Sequence, residues 1–390
     1  MVLDPRLRGG DIAALVELEA LIVNYLQEWN LQNESSGFQT IRNPKSAIPG
    51  PVAAVAVYAA FAAYLYYPYV RDLAGLQWLL PINACASALG GYLLSRRWVA
   101  GFTGSLLAGA VYGFAPFTLA LARFHPTAGL LAASVPWLFL PATFLERTRG
   151  KWLATTLLSL PFLAILLFSH LLANVFVDHR LFAAPLGVEV RPSDLAGFIA
   201  PLVLAKRGAA MIGLYHVPVA ALALGWVLVL KARRYNMLIL PLLGLLLALS
   251  RLLIDADKIA WLGVSPVLWL SITLVWCAVL TGIGLQGLFE AGFADRKWVG
   301  VVTAILCTLA IVNLFLATKY FQVLFGLADG YARLFVETAK MYLLGAVATA
   351  IIFLMTRQKL RVQWLRWAIL VAALAVDIVL GARYVVDSVL

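Results

Sequence analysis

Eleven apolar runs, each near the length that a bilayer requires, leave this chain almost no way to fold in water. They fall at about 51 to 70, 75 to 95, 98 to 122, 127 to 146, 151 to 176, 212 to 231, 236 to 254, 264 to 289, 298 to 318, 340 to 356 and 365 to 386, and charged residues bound them. Of 390 residues, 63% are hydrophobic and 13% charged, against ~45–50% and ~25% in soluble domains. Ten or eleven spans of ~20 residues consume most of that apolar content. A large soluble catalytic module, a coiled coil and a disordered scaffold are excluded, and so is a β-barrel, whose strands alternate in polarity rather than running apolar throughout. The expectation is an all-α integral membrane protein with about ten or eleven transmembrane helices. The first run, rich in alanine and separated from the second only by Arg71, Asp72 and Leu73, either spans or lies in the interface.

Lys and Arg number 30 against 19 acids, a formal charge of +11. In a soluble protein this would point to nucleic acid; here membrane lipids are the expected partners and nucleic acid is not. The excess is segregated. Loops after even-numbered runs carry Arg96, Arg97, Arg147, Arg149, Lys151, Lys231, Arg233, Arg234, Arg296, Lys297, Arg357, Lys359, Arg361 and Arg366, with only Glu146, Glu290 and Asp295 as acids. Loops after odd-numbered runs, with the tail, hold nearly balanced charge. Basic loops stay in the cytoplasm, which puts the 177–211 and 319–340 connections outside.

Two parts follow. Residues 1–50 form an extramembrane segment with an amphipathic helix near 11–29, where Leu15, Leu18, Ile22, Tyr25 and Leu26 recur at helical spacing and Trp29 is an interfacial anchor. Residues 51–390 form one polytopic membrane domain with a longer outer loop at 177–211. Trp29, Trp78, Trp137, Trp261 and Trp298 are read as an aromatic belt at run boundaries.

Chemical signals are sparse. The opening thirty residues carry acids throughout and no basic stretch ahead of an apolar one, so no cleavable signal peptide is expected. Cys85, Cys277 and Cys307 lie within apolar runs and lack metal-ligand or disulfide spacing; no metal site is expected from them. No P-loop, HExxH or GxSxG occurs. His125, His170, His179 and His216 lie at different span ends, which argues against a bis-histidine haem site. Asp377, in mid-run, is expected to pair with Arg383 or with a neighbouring helix.

Residues 82–152 are more informative. Gly90, Gly91, Gly101, Gly104, Gly109 and Gly113 permit close helix contact, Pro116 breaks the third run, and Arg123 and His125 follow the break. The progression Asn83, Tyr92 to Leu94, Arg96 and Arg97, Leu107 to Gly109, Tyr112 to Phe117, His125 and Pro136 resembles one found in the GT-C superfamily. These are multi-spanning glycosyltransferases that use polyprenyl-phosphate sugars, and the likeness is to their uncharacterised bacterial members. The stretches RPSDLAGFIAP (Arg191–Pro201), IGLYHVPVAALALGWVLVLKARR and LVWCAVLTGIGLQGL extend the resemblance over roughly residues 49–290.

What the resemblance implies is a GT-C-like fold in a bacterial inner membrane and transfer of a sugar from a polyprenyl-phosphate donor at the outer face. No resident cofactor is required, and involvement of a divalent metal stays open. The catalytic base would be Asp11, in Arg8-Gly9-Gly10-Asp11, which resembles the opening of the family's first outer loop. Arg123, His125, Lys206 and Arg207 would hold the lipid phosphate. Gly9-Gly10-Asp11 also fits an N-cap for the amphipathic helix, and Asp194 a cap for the turn that follows it. No apolar run precedes Asp11 as one does in the family. The chain therefore also resembles a truncated or degenerate member, and the alternative is a catalytically inactive accessory subunit that packs with other membrane subunits.

Overall fold

The computed structural model describes residues 50–145, 156–174, 190–203, 218–249 and 266–389, apart from positions 72, 74, 125, 191, 201, 233, 234, 292 to 294, 325, 327 to 329 and 359 to 361. The chain divides into two compact units, Met1–Gly50 and Pro51–Leu390. Asp11 and the 11–29 helix lie outside the described residues.

Among the described residues the second unit is helical and holds no strand. Its helices are α1 (Gly50–Tyr66), α2 (Leu79–Ser95), α3 (Phe102–Gly113), α4 (Pro116–Phe124), α5 (Pro126–Leu145), α6 (Leu160–Asn174), α7 (Val219–Lys231), α8 (Asn236–Ala248), α9 (Pro266–Glu290), α10 (Arg296–Leu316), α11 (Lys319–Leu324), α12 (Gly330–Arg357) and α13 (Gln363–Val389). Each of the eleven apolar runs contains a helix, and among the described residues six helical segments are long and apolar enough to cross a membrane. This is an all-helical integral membrane protein.

The centre of the bundle is α9, apolar on every face and buried almost throughout. A helix of that kind needs neighbours all round, and glycines let them approach. A Cβ on Gly284 would overlap the Ala221 carbonyl of α7, and one on Gly225 of α7 would overlap the Leu280 carbonyl of α9. On another side a Cβ on Gly282 would come within 2.8 Å of Ala108 on α3. Trp276 fills a third side against Trp98 and Phe139, each with ring centroids 5.3 Å away. Next to it, α2 and α3 pack backbone to backbone: a Cβ on Gly113 would stand 2.5 Å from the Ala84 carbonyl and the Ala88 nitrogen. The close contacts expected from the 82–152 glycines are therefore present.

Proline breaks are repaired by side chains, as burial away from water demands. Pro116 starts α4 and cannot donate back to the Tyr112 carbonyl; Thr118 Oγ1 donates to it at 2.7 Å. Pro136, inside α5, leaves the Ala132 carbonyl without its helical donor, and the buried Tyr112 hydroxyl donates to it at 2.6 Å.

Among the described residues, four of the connections that carry basic residues meet at one end. Arg366 donates to the Ala291 carbonyl at 2.6 Å, Trp367 Nε1 to Thr103 Oγ1 at 2.5 Å, and Lys231 lies 4.5 Å from the Trp298 ring centre. Gln286, near the end of α9, packs against Gly101 ahead of α3.

The first run, read as spanning or interfacial, forms α1, which lies within a segment long and apolar enough to cross a membrane. It is antiparallel to α2, with Cys85 of α2 donating to the Tyr58 carbonyl at 3.6 Å. Tyr58 donates to the Leu106 carbonyl of α3 at 2.7 Å, while Tyr69, about 16 Å further along, donates to Asp387 near the end of α13 at 2.7 Å. The 319–340 connection is mostly helix, because α12 starts at Gly330; Leu334, Phe335 and Thr338 form a buried face and Glu337 pairs with Lys340 at 2.9 Å on the other. Arg383 pairs with Asp387 at 3.6 Å, one turn on. Trp137 is not at a boundary but in the middle of α5, donating to the Ala86 carbonyl at 3.0 Å.

Candidate functional site

Of the residues singled out for catalysis and phosphate binding, Asp11, His125, Lys206 and Arg207 lie outside the described residues. Arg123 belongs to the last turn of α4. Asp194 is the third residue of a short 3-10 helix, Pro192–Phe198.

That 3-10 helix opens a segment packed among membrane helices. Ala200, Leu202 and Val203 are buried against Leu334, Phe335 and Met341 of α12, with Leu316, Ala317, Tyr331 and Tyr384 around them. Their packing is apolar, but the backbone there is not regular helix, so its carbonyls need donors. The Tyr342 hydroxyl lies 3.0 Å from the Phe198 oxygen and 2.9 Å from that of Ile199 and donates to this pair. Asn313 Nδ2 donates to the Ile199 oxygen at 3.2 Å and to the Leu309 oxygen of its own helix at 2.9 Å.

Counted from the basic end at 1.5 Å per residue, Asp377 and Tyr342 stand about 21 to 23 Å along their helices and Asn313 about 26 Å. A hydrocarbon core is ~30 Å thick. The segment therefore stands some two thirds or more of a core thickness from the basic end, and irregular backbone within an apolar layer persists only when protein covers it or a cavity adjoins it. Asp377 is half-buried on α13.

A second feature adjoins this one across α13. Between α1 and α2 runs an apolar groove of about 590 Å³, lined among others by Val55, Tyr58, Ala62, Trp78, Ile82 and Cys85. It shares Ala63 and Tyr67 with a hollow of about 410 Å³ that Arg383 also lines. The groove is lined almost wholly by apolar side chains. Arg383, steadied by Asp387, is a cation at one end of it.

Asn313, Thr338 and Tyr342 were not singled out by sequence reasoning, although a lone Asn within an apolar run is a usable signal. Two spacings also carry chemistry elsewhere. Asp255-Ala256-Asp257 sets two carboxylates two residues apart in the sequence that connects α8 to α9, outside the described residues. Gly282-Ile283-Gly284-Leu285-Gln286-Gly287 has the spacing of a dinucleotide-binding glycine triplet, but it lies within one buried helix and not at a strand-to-helix turn, and Gly282 and Gly284 serve packing. Among the described residues no group of three His, Cys, Asp or Glu is placed to hold a metal.

No protein-family model, curated protein or solved structure matches the chain.

Proposed function

We propose that this protein is a GT-C-like glycosyltransferase of about ten or eleven spans in a bacterial inner membrane, taking a sugar from a polyprenyl-phosphate donor at the outer face. The observation that carries this reading is the Pro192–Val203 segment. It belongs to the stretch that resembles the family's outer loop, and it is built into the membrane helices at the end opposite the basic loops. The apolar groove between α1 and α2 gives further support, since its polarity suits an isoprenoid chain.

In this reading the acceptor hydroxyl attacks the anomeric carbon as the bond from that carbon to the phosphate oxygen breaks. A carboxylate takes the hydroxyl proton, and Arg123, His125, Lys206 and Arg207 neutralise the departing phosphate by charge-assisted hydrogen bonds. Asp11 is the first candidate for the base. Asp255 and Asp257 are the second, because α8 and α9 meet their connection at the end opposite the basic loops.

The direction of α1 favours a second reading. α1 begins on the basic side, so Asp11 acts at the outer face only if the preceding segment crosses the membrane. The alternative is an inactive subunit that keeps the fold and packs with other membrane chains. The test is sugar transfer from a labelled polyprenyl-phosphate donor in proteoliposomes, for wild type and for Asp11→Asn, Asp255→Asn and Asp257→Asn. Transfer that is lost in one variant, whose melting is unchanged, identifies the base. Wild-type protein that transfers nothing to any acceptor, yet co-purifies in fixed ratio with other membrane chains, would replace the enzyme with the subunit.

A further inference from the structure

Tyr66, at the end of α1 opposite the basic loops, is 4% exposed, and its hydroxyl has no hydrogen-bond partner among the described residues. A buried tyrosine hydroxyl usually finds one. Tyr58 and Tyr69 of the same segment do, donating to the Leu106 carbonyl and to Asp387. Tyr66 instead lines the apolar groove between α1 and α2. It offers that groove a donor that the protein does not use.

The length of the groove fits one leaflet. Its wall on α1 runs from Tyr66 back to Val55, about 16 Å of helix, and half of a ~30 Å hydrocarbon core is ~15 Å. On α2 it runs from Trp78 past Ile82 and Cys85 to Leu89. Val55, Trp78 and Ile82 are exposed, so the groove is open on the surface that faces lipid. Tyr64, Tyr66, Tyr67, Tyr69 and Trp78 gather at one end of it, as aromatic residues do at headgroup level. Tyr66 therefore stands where the ester carbonyls of a glycerophospholipid lie, between headgroup and chains. Charge agrees with this. Arg71, next in the chain to the groove residue Val70, is exposed and has no ion pair among the described residues. We propose that the groove between α1 and α2 binds one glycerophospholipid, with an acyl chain along the groove, an ester carbonyl accepting from the Tyr66 hydroxyl and the phosphate at Arg71. The sugar-transfer reading does not depend on this site, since the Pro192–Val203 segment carries it.

The experiment is thermal unfolding of the purified full chain in a delipidating detergent, titrated with phosphatidylglycerol whose chains are ester-linked or ether-linked, the latter without carbonyls. A saturable rise in Tm is expected for the wild type, as for any ligand bound only by the folded state. The ether lipid is expected to need about five-fold more for half-saturation, the loss of one hydrogen bond of ~1 kcal/mol. Tyr66→Phe removes a hydroxyl that has no partner in the protein; it is expected to melt like wild type without lipid and to respond equally to both lipids. Ala59→Trp, which fills the groove from an exposed position, is expected to respond to neither. Wild-type melting unchanged by either lipid would overturn the proposal. So would a Tyr66→Phe variant that still prefers the ester, or an Ala59→Trp variant that responds like wild type. A polyprenyl phosphate that acts at lower concentration than phosphatidylglycerol, and loses its effect in Ala59→Trp, would overturn it too and give the groove to an isoprenoid chain.

Discussion

Tyr112 shows how a single side chain repairs what another breaks. Pro136 takes the helical donor away from the Ala132 carbonyl, and the Tyr112 hydroxyl replaces it. Removing the hydroxyl in Tyr112→Phe strands a buried acceptor, at a cost of about 1 to 2 kcal/mol. The same change made in a Pro136→Ala background is expected to cost much less, because an alanine N–H serves the carbonyl again. Thermal melting of the four proteins tests this, and equal losses in both backgrounds would refute the repair. Prolines in apolar runs are visible in a sequence. Which hydroxyl answers each one is not, since Tyr112 and Pro136 meet only after α3 and α5 have packed on α2.

Helix contacts divide the glycines into two kinds. Gly284 and Gly225 face the backbone of the opposite helix, which cannot move aside, whereas the nearest atom to a Cβ on Gly300 is Phe353 Cε2 at 3.5 Å, an ordinary contact. Gly284→Ala is therefore expected to destabilise by roughly 1 to 3 kcal/mol or more through forced separation of α7 and α9, while Gly300→Ala changes Tm little. Comparable losses at the two positions, read by the same melting assay, would count against the close α7 to α9 contact. At this scale the sequence was partly legible. The 82–152 glycines announced their role, but α12 escaped at its start because Arg333, Glu337 and Lys340 interrupt the apolar run while sitting on one side of a helix whose other side is buried.

For the molecule as a whole, sidedness is the decisive property. With Cys85, Cys277 and Cys307 replaced by alanine, a single cysteine at Lys297, at the basic end, is expected to react with an impermeant maleimide only after lysis. One at Tyr320, 71% exposed beyond the far end of α10, is expected to react in intact cells. The reverse pattern would turn the molecule over and remove the outer-face site with it. A cysteine at position 11 then asks the question that α1 raises: labelling from outside keeps Asp11 as a candidate base, and labelling only after lysis passes that role to Asp255 or Asp257.

The sequence alone determined the class of this protein, because apolar runs of bilayer length have one stable outcome in lipid: helices that satisfy their own backbones. It also determined which loops gather at one end, since the even-numbered connections of consecutive crossing helices share a side. The proposed catalytic residues Asp11, His125, Lys206 and Arg207 remain expectations of the sequence. Only the tertiary structure decided that α1 packs antiparallel to α2, that Arg383 serves Asp387, and that Asn313 and Tyr342 converge on an irregular backbone segment more than a hundred residues away. Local pattern encodes what a helix needs from its solvent. Which buried polar atoms meet depends on register and rotation between helices, and these are set by packing that no single run contains.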